Sequence, residues 1–274
     1  MILFDFMMDY DFLHLRKTVS FLVSLLIMTS CGENLMDVED NTGMPVVESY
    51  LQENATSLTV KLYSMEVYLK DDYQLSKPIG GLQPEINGKA LEETVAGTYS
   101  LNLGEDTIRG QQTFDLSFDY LGKTVTASTS VPRRITGLNI EPASITRTSS
   151  YYFWDSTDTT EISLTWDDPD KSYYQIYIES PASSDMPDFG GGMQFRRRMM
   201  QPFRGNSYKT TSREFMSIGY YSIYVYRVNK DYVDLYERIS STDLANPSSA
   251  IQNAFGIFTA MSTAKIGFQV IEVE

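Results

Sequence analysis

From Pro45 onward, apolar and polar residues alternate with the two-residue period that sends successive side chains to opposite faces of a sheet. In the first such run Val47, Ser49 and Leu51 oppose Val46, Glu48 and Tyr50. A second run carries Leu58, Val60 and Leu62 on one side, and Ile86-Asn87-Gly88-Lys89 supplies the Asn-Gly pair that suits a tight hairpin. Tyr99, Leu101 and Leu103 then share a face, as do Phe114, Leu116 and Phe118. After Gly122 the chain continues through Val125, Ala127, Thr129 and Val131 to Pro132, which cannot donate to a ladder and stops the strand. These runs predict an N-terminal β-sandwich-like unit over residues 45–133.

A second set of strands is predicted over 138–274. Ile162, Leu164 and Trp166 alternate before Asp167-Asp168-Pro169, and Tyr174, Ile176 and Ile178 follow. The run from Tyr221 to Asn229 resembles the F strand of a fibronectin type III domain, with the tryptophan strand matching B and the tyrosine strand matching C. Arg227 stands where that family usually has a small residue. Between these strands, residues 183–206 hold Gly190-Gly191-Gly192 and Arg196, Arg197 and Arg198, which reads as a long connecting loop. Val233, Tyr236 and Ile239 recur three apart, which predicts one short helix from Lys230 to Ile239, set against a sheet edge. The expected fold class is therefore mostly β: two Ig-like or fibronectin-like sandwich units with a short helix near the C-terminal end.

The front of the chain has a different pattern. Arg16 and Lys17 precede a mainly apolar run from Val19 to Met28, and Thr29 and Ser30 lead into Cys31. Ten residues rise about 15 Å as a helix, half of a hydrocarbon core of about 30 Å, so the layout is that of a signal peptide rather than a permanent span. Met28-Thr29-Ser30-Cys31 resembles the bacterial lipobox, which implies cleavage after residue 30 and acylation of Cys31. Two or three acyl chains anchor stably where one does not. The acids ahead of Arg16 are atypical of a leader and are explained if translation starts at Met7 or Met8. Residues 31–44 are polar and acidic without periodicity and read as a tether. Acids close behind such a cysteine resemble a signal for display on the outer leaflet in Bacteroidetes-type bacteria, so the expected location is the outer membrane, at the cell surface or its periplasmic face.

Composition narrows the chemistry. Nineteen tyrosines and 14 phenylalanines favour strands, because flat rings pack well on a pleated surface. The net charge is −14; residues 1–30 hold three acids and two bases, so the remainder stands at −13 and repels nucleic acid and anionic head groups. Cys31 is the only cysteine and His14 the only histidine, and His14 lies in the leader. The mature body thus lacks the residues of Ser-His-Asp and Cys-His sites, of zinc sites and of disulfides. No catalytic residue, metal or cofactor is expected. A hydrolase would have to use Asp71-Asp72, Glu92-Glu93 or the group from Asp167 to Asp170, and the last of these sits in a turn where Asp and Pro set geometry. Binding is better served. Tyr151, Tyr152 and Trp154, and the face formed by Tyr220, Tyr224 and Tyr226, offer flat rings for a sugar or a protein, while Arg196, Arg197 and Arg198 can grip a carboxylate or a phosphate.

Several segments, in order, resemble the outer-membrane lipoproteins grouped as domain of unknown function 4249. They are 45–51 behind the lipobox, Gly97-Thr98-Tyr99-Ser100-Leu101, Gly122-Lys123-Thr124-Val125-Thr126-Ala127 running into Val131-Pro132, and Asn253-Ala254-Phe255-Gly256-Ile257-Phe258. The resemblance implies a lipid-anchored accessory of a TonB-dependent transporter with no catalytic residues. The alternatives are a stand-alone glycan- or peptide-binding lipoprotein and, third, a carboxylate-dependent hydrolase.

Overall fold

A computed structural model describes residues 44–64, 77–148, 159–181, 197–215, 217–239 and 250–273. The leader, Cys31 and the expected tether up to residue 43 lie outside them. So do Asp71-Asp72, Tyr151, Tyr152, Trp154 and Arg196.

The alternation of the first unit forms β1 (Pro45–Gln52), β2 (Ser57–Ser64), β3 (Glu85–Ile86), β4 (Lys89–Ala90), β5 (Glu92–Val95), β6 (Thr98–Asn102), β7 (Thr113–Tyr120) and β8 (Lys123–Ser130). Val47, Leu51, Leu58, Val60, Leu62, Phe114, Leu116, Phe118 and Val125 fill one core. Each fully buried aliphatic or aromatic side chain of this kind stabilises the fold by about 1.5–3 kcal/mol. The Asn-Gly hairpin forms between β3 and β4, with φ of 51° at Asn87 and 71° at Gly88, the pair of positive values that its turn requires.

The second unit contains β9 (Asn139–Glu141), β10 (Ser144–Thr148), β11 (Glu161–Thr165), β12 (Tyr173–Glu179), β13 (Arg197–Met199), β14 (Phe203–Arg204), β15 (Ser207–Thr211), a 3-10 turn at Ser212–Glu214, β16 (Gly219–Val228), the helix α1 (Lys230–Ile239) and β17 (Phe255–Val273). One sheet runs β15-β11-β9 and the facing layer runs β13-β12-β16-β17. This is the fibronectin-like arrangement, with A, B and E strands on one side and C, F and G on the other. Ile162 and Leu164 from one layer meet Tyr174, Ile176, Ile223, Val225 and Phe268 from the other. The hydroxyl of Tyr221, at the start of β16, donates to the Ser217 carbonyl at 3.0 Å and accepts from the Ser217 amide at 2.7 Å. That is the tyrosine corner of such sandwiches.

Three expectations change. The predicted boundary between residues 133 and 138 separates the cores only along the first pass of the chain, because β17 returns through both. Residues 255–261 of β17 pair in parallel with β1, whereas 261–270 pair antiparallel with β16. Phe258 and Ala260 accordingly sit in the first core, and Phe268 and Val270 in the second. Residues 42–274 form one compact unit, with a ten-stranded sheet running through both cores among the described residues. Next, the expected loop 183–206 is structured at its C-terminal end, where β13 and β14 both pair with β12. Finally, α1 occupies its predicted residues but lies on a sheet face rather than an edge. Asp231 accepts from Thr259 of β17 at 3.0 Å, Tyr232 donates to Gln175 of β12 at 2.7 Å, and Tyr232 stands edge-on to Tyr50 of β1.

Candidate functional site

β16 sorts its side chains by parity. Tyr221, Ile223, Val225 and Arg227 turn into the core, and Tyr220, Tyr224 and Tyr226 turn outward, the side on which their spacing placed them. On that outer face Tyr224 lies opposite Tyr177 of β12 and Lys265 of β17, and Tyr177 lies opposite Met199 of β13. Met199, Tyr177, Tyr224 and Lys265 thus form one cross-strand row. The Tyr177 and Tyr224 rings are 5.6 Å apart between centroids, and Tyr226 stacks at 6.3 Å from Tyr224 with a 16° interplanar angle. The Lys265 ammonium stands 5.1 Å from the Tyr224 centroid, and the Tyr224 hydroxyl donates to Glu179 at 3.3 Å.

The helix bounds this platform. It packs on Thr259 and Gln175, both buried, while Tyr177 and Tyr224 stay half-exposed and Met199 exposed. Burial pushes the Tyr226 phenol above its ordinary pKa, and nearby Tyr224, Tyr177 and Glu179 push the same way. Burial likewise raises Tyr232, opposed by its hydrogen bond to Gln175. Both phenols therefore carry no charge near pH 7. A surface of ring faces edged by one ammonium, one carboxylate and several hydroxyls can stack against a flat apolar face and hydrogen-bond around it.

The other expected site residues are scattered. Tyr220 is 60 % exposed, and its ring crosses Gly267, whose missing β-carbon makes room for it. It covers backbone as well as facing solvent. Arg198 forms an ion pair with Glu214 of the 3-10 turn, away from the tyrosine row in the fold, and the Arg197 backbone pairs with Glu179. Of the three arginines, Arg198 alone has a described side chain, and it pairs across from Ile178 on the core side, not on the tyrosine face. Tyr177, Met199 and Lys265 were not singled out from the sequence. The signal for Tyr177 was present, since it falls between the core positions Ile176 and Ile178, but its proximity to Tyr224 depends on register across two strands.

Among the described residues, Glu93, Asp167, Asp168 and Asp170 have structural partners. Glu93 accepts from the Gly97 amide at 3.0 Å and the Gly81 amide at 2.9 Å. Asp167 accepts from Thr136 at 2.9 Å. Asp168 accepts from the Ser172 amide at 3.0 Å and the Tyr174 hydroxyl at 2.9 Å. Arg227 completes this cluster: 1 % exposed, it donates to the Tyr174 hydroxyl from Nε at 2.9 Å and to the Arg133 carbonyl at 3.0 Å, and it stands 3.6 Å from both Asp168 and Asp170. The turn after the tryptophan strand is therefore tied to an arginine that occupies a position usually given to a small residue. Burial pushes the Tyr174 phenol up to about 12, against the pull of the Arg227 hydrogen bond.

No family model matches the chain, and no curated protein matches it. Among solved structures, the chicken CNTN1 FN1–FN3 domains are similar at 14 % identity over 83 % of this chain and 67 % of that one, with a TM-score of 0.26. The central fibronectin-III array of RIM-binding protein is similar at 7 % identity over 86 % and 71 %, with a TM-score of 0.24. The two Ig domains of DIP-gamma are similar at 8 % identity over 84 % and 98 %, with a TM-score of 0.22. Scores this low carry no functional weight. On its own strand pairing and tyrosine corner, the chain is a mostly β protein whose second sandwich is fibronectin type III-like.

Proposed function

We propose that this chain is a lipid-anchored, non-catalytic binding subunit of a TonB-dependent outer-membrane uptake system, tethered through Cys31 and meeting its partner through the tyrosine face. The address rests on the leader that ends in the lipobox-like Met28-Thr29-Ser30-Cys31 and on the resemblance to the outer-membrane family of domain of unknown function 4249. The binding role rests on one observation, the open row of Tyr177 and Tyr224 with Lys265 at its end. A lipid anchor confines such a surface to the plane of the membrane and raises its effective concentration near an embedded partner. Residues 32–274 contain neither histidine nor cysteine, and the carboxylates of Glu93, Asp167 and Asp168 are engaged in holding turns, so a carboxylate-dependent hydrolase is the weakest reading.

The test is affinity purification of the tagged full chain from detergent-solubilised envelopes, with the retained proteins identified by mass spectrometry. A TonB-dependent barrel is expected with the wild type, and its recovery falls with Tyr177→Ala and Tyr224→Ala together. Recovery of the chain from the cytosol without palmitate incorporation at Cys31 overturns the anchor, and an undiminished barrel signal from the double variant overturns the docking face. A second reading, a stand-alone glycan-binding lipoprotein, is favoured by the ring faces edged with Glu179 and Lys265, and retention on a glycan array without any barrel distinguishes it.

A further inference from the structure

We propose a second, separate binding site: the hollow at the β12 end of the second sandwich takes an oxyanion carried by a small ligand, held between Lys171 and Arg204. The hollow is open, encloses about 370 Å³ and is lined by Asp168, Lys171, Arg204, Gly205 and Asn206. That volume is at the lower end of the range of small-molecule sites, about 300–1,000 Å³, and suits a ligand the size of one sugar acid.

The charges around this hollow do not balance one another. Among the described residues Lys61 pairs with Glu48, Arg134 with Glu53, Lys209 with Glu161 and Lys230 with Asp234, as an acidic chain allows. Lys171 and Arg204 share one concavity, and no carboxylate of the described residues forms an ion pair with either. Asp168 lines the same hollow, but its carboxylate is buried and occupied by the Ser172 amide, the Tyr174 hydroxyl and Arg227. Two cations brought together without a counter-ion form a place where an anion is attracted by both.

The site is also built in advance of any ligand. The Arg204 guanidinium lies 4.2 Å over the Tyr173 ring and donates from Nη2 to the Tyr173 hydroxyl at 2.7 Å. A guanidinium has five N–H donors, so a flat fork with donors to spare is held in place. Lys171 projects from a turn pinned by Asp168 and, through it, by the buried Arg227. Its backbone is left-handed, with φ of 51°. Next to Arg204, Gly205 has φ of 139°, and a β-carbon there would meet no atom within 4 Å, so the backbone stays accessible from the hollow. The Asn206 carbonyl accepts from the Trp166 amide at 3.0 Å, which ties the far wall to the tryptophan strand.

Carboxylate and phosphate share this chemistry, and the experiment separates them. Glucuronate, inorganic phosphate and neutral glucose are titrated calorimetrically into the full chain in non-ionic detergent at low salt. Saturable binding of glucuronate or of phosphate is expected, with none of glucose; the anion that binds identifies the group. Lys171→Gln combined with Arg204→Gln weakens it about tenfold or more while circular dichroism shows an unchanged fold. Tyr177→Ala with Tyr224→Ala binds the anion as the wild type does, so this site stands or fails independently of the tyrosine face. Absence of saturable binding by either anion, undiminished binding in the folded lysine-arginine variant, or loss of binding in the tyrosine variant overturns the assignment.

Discussion

The two faces of β16 use similar side chains to opposite ends. On the inner face Tyr221 and Arg227 are buried and find partners within the chain: Tyr221 closes the corner at Ser217, and Arg227 gathers Tyr174, Asp168, Asp170 and the Arg133 carbonyl. On the outer face Tyr226 stacks on Tyr224, which packs at a tilt against Tyr177, and all three remain half-exposed. A buried polar group left without a partner costs about 1–3 kcal/mol, and a buried charge more, so the inner face has to satisfy itself. The outer groups carry no such requirement, because half-exposed side chains can also turn to solvent, and Tyr224 donates to Glu179 besides. Residue type alone therefore says little about role here; the side of the sheet decides it.

The comparison can be tested most strongly at Arg227. Replacing it by leucine strands the Asp168 carboxylate in the core and is expected to cost about 3–5 kcal/mol in urea unfolding. Adding Asp168→Asn should restore part of that loss, because the uncompensated charge is then removed. A cost below about 1 kcal/mol for Arg227→Leu would mean that the inner network contributes little, and the contrast would collapse.

A smaller effect comes from pH. The Tyr174 phenol is raised from 10.0 to about 12 in the folded protein, chiefly by burial. Between those values the unfolded chain releases this proton and the native chain retains it, so stability present below pH 10 is lost as pH rises towards 12. Unfolding midpoints measured across that window should fall less steeply in Tyr174→Phe than in the wild type; equal slopes would assign the alkaline loss to other tyrosines.

The smallest effect is expected outside. Tyr177→Ala or Tyr224→Ala removes a cross-strand ring pair and should change stability by about 1 kcal/mol or less. A loss comparable to that of Arg227→Leu would show that the outer rings hold the sandwich together and are not spare surface.

Much of the fold is legible in the order of residues. Strands announce themselves by alternation, so spacing alone puts Val47 with Leu51, Leu58 with Val60, Phe114 with Leu116, Ile162 with Leu164 and Tyr174 with Ile176 on shared faces, and Asn87-Gly88 identifies its own turn. The helix at Lys230–Ile239 was equally local. The outward direction of Tyr224 and Tyr226 was fixed by parity with Ile223 and Val225, so half of the candidate site was readable as well.

The rest depended on which strands become neighbours. Nothing in the order of residues states that β17 runs through both cores, because each half of it alternates as an ordinary strand; only its pairing with β1 and then β16 joins the two. Tyr177 meets Tyr224 across 47 residues of chain, Arg227 meets Asp168 across 59, and Lys171 comes to the same hollow as Arg204 through the pairing of β12 with β14. The sequence by itself determined the strands and the face to which each side chain points, since those follow from the local period. Tertiary structure alone decided which of those faces meet and which charges find counter-ions, since contacts between distant segments are set by sheet register and packing and leave no trace in local spacing.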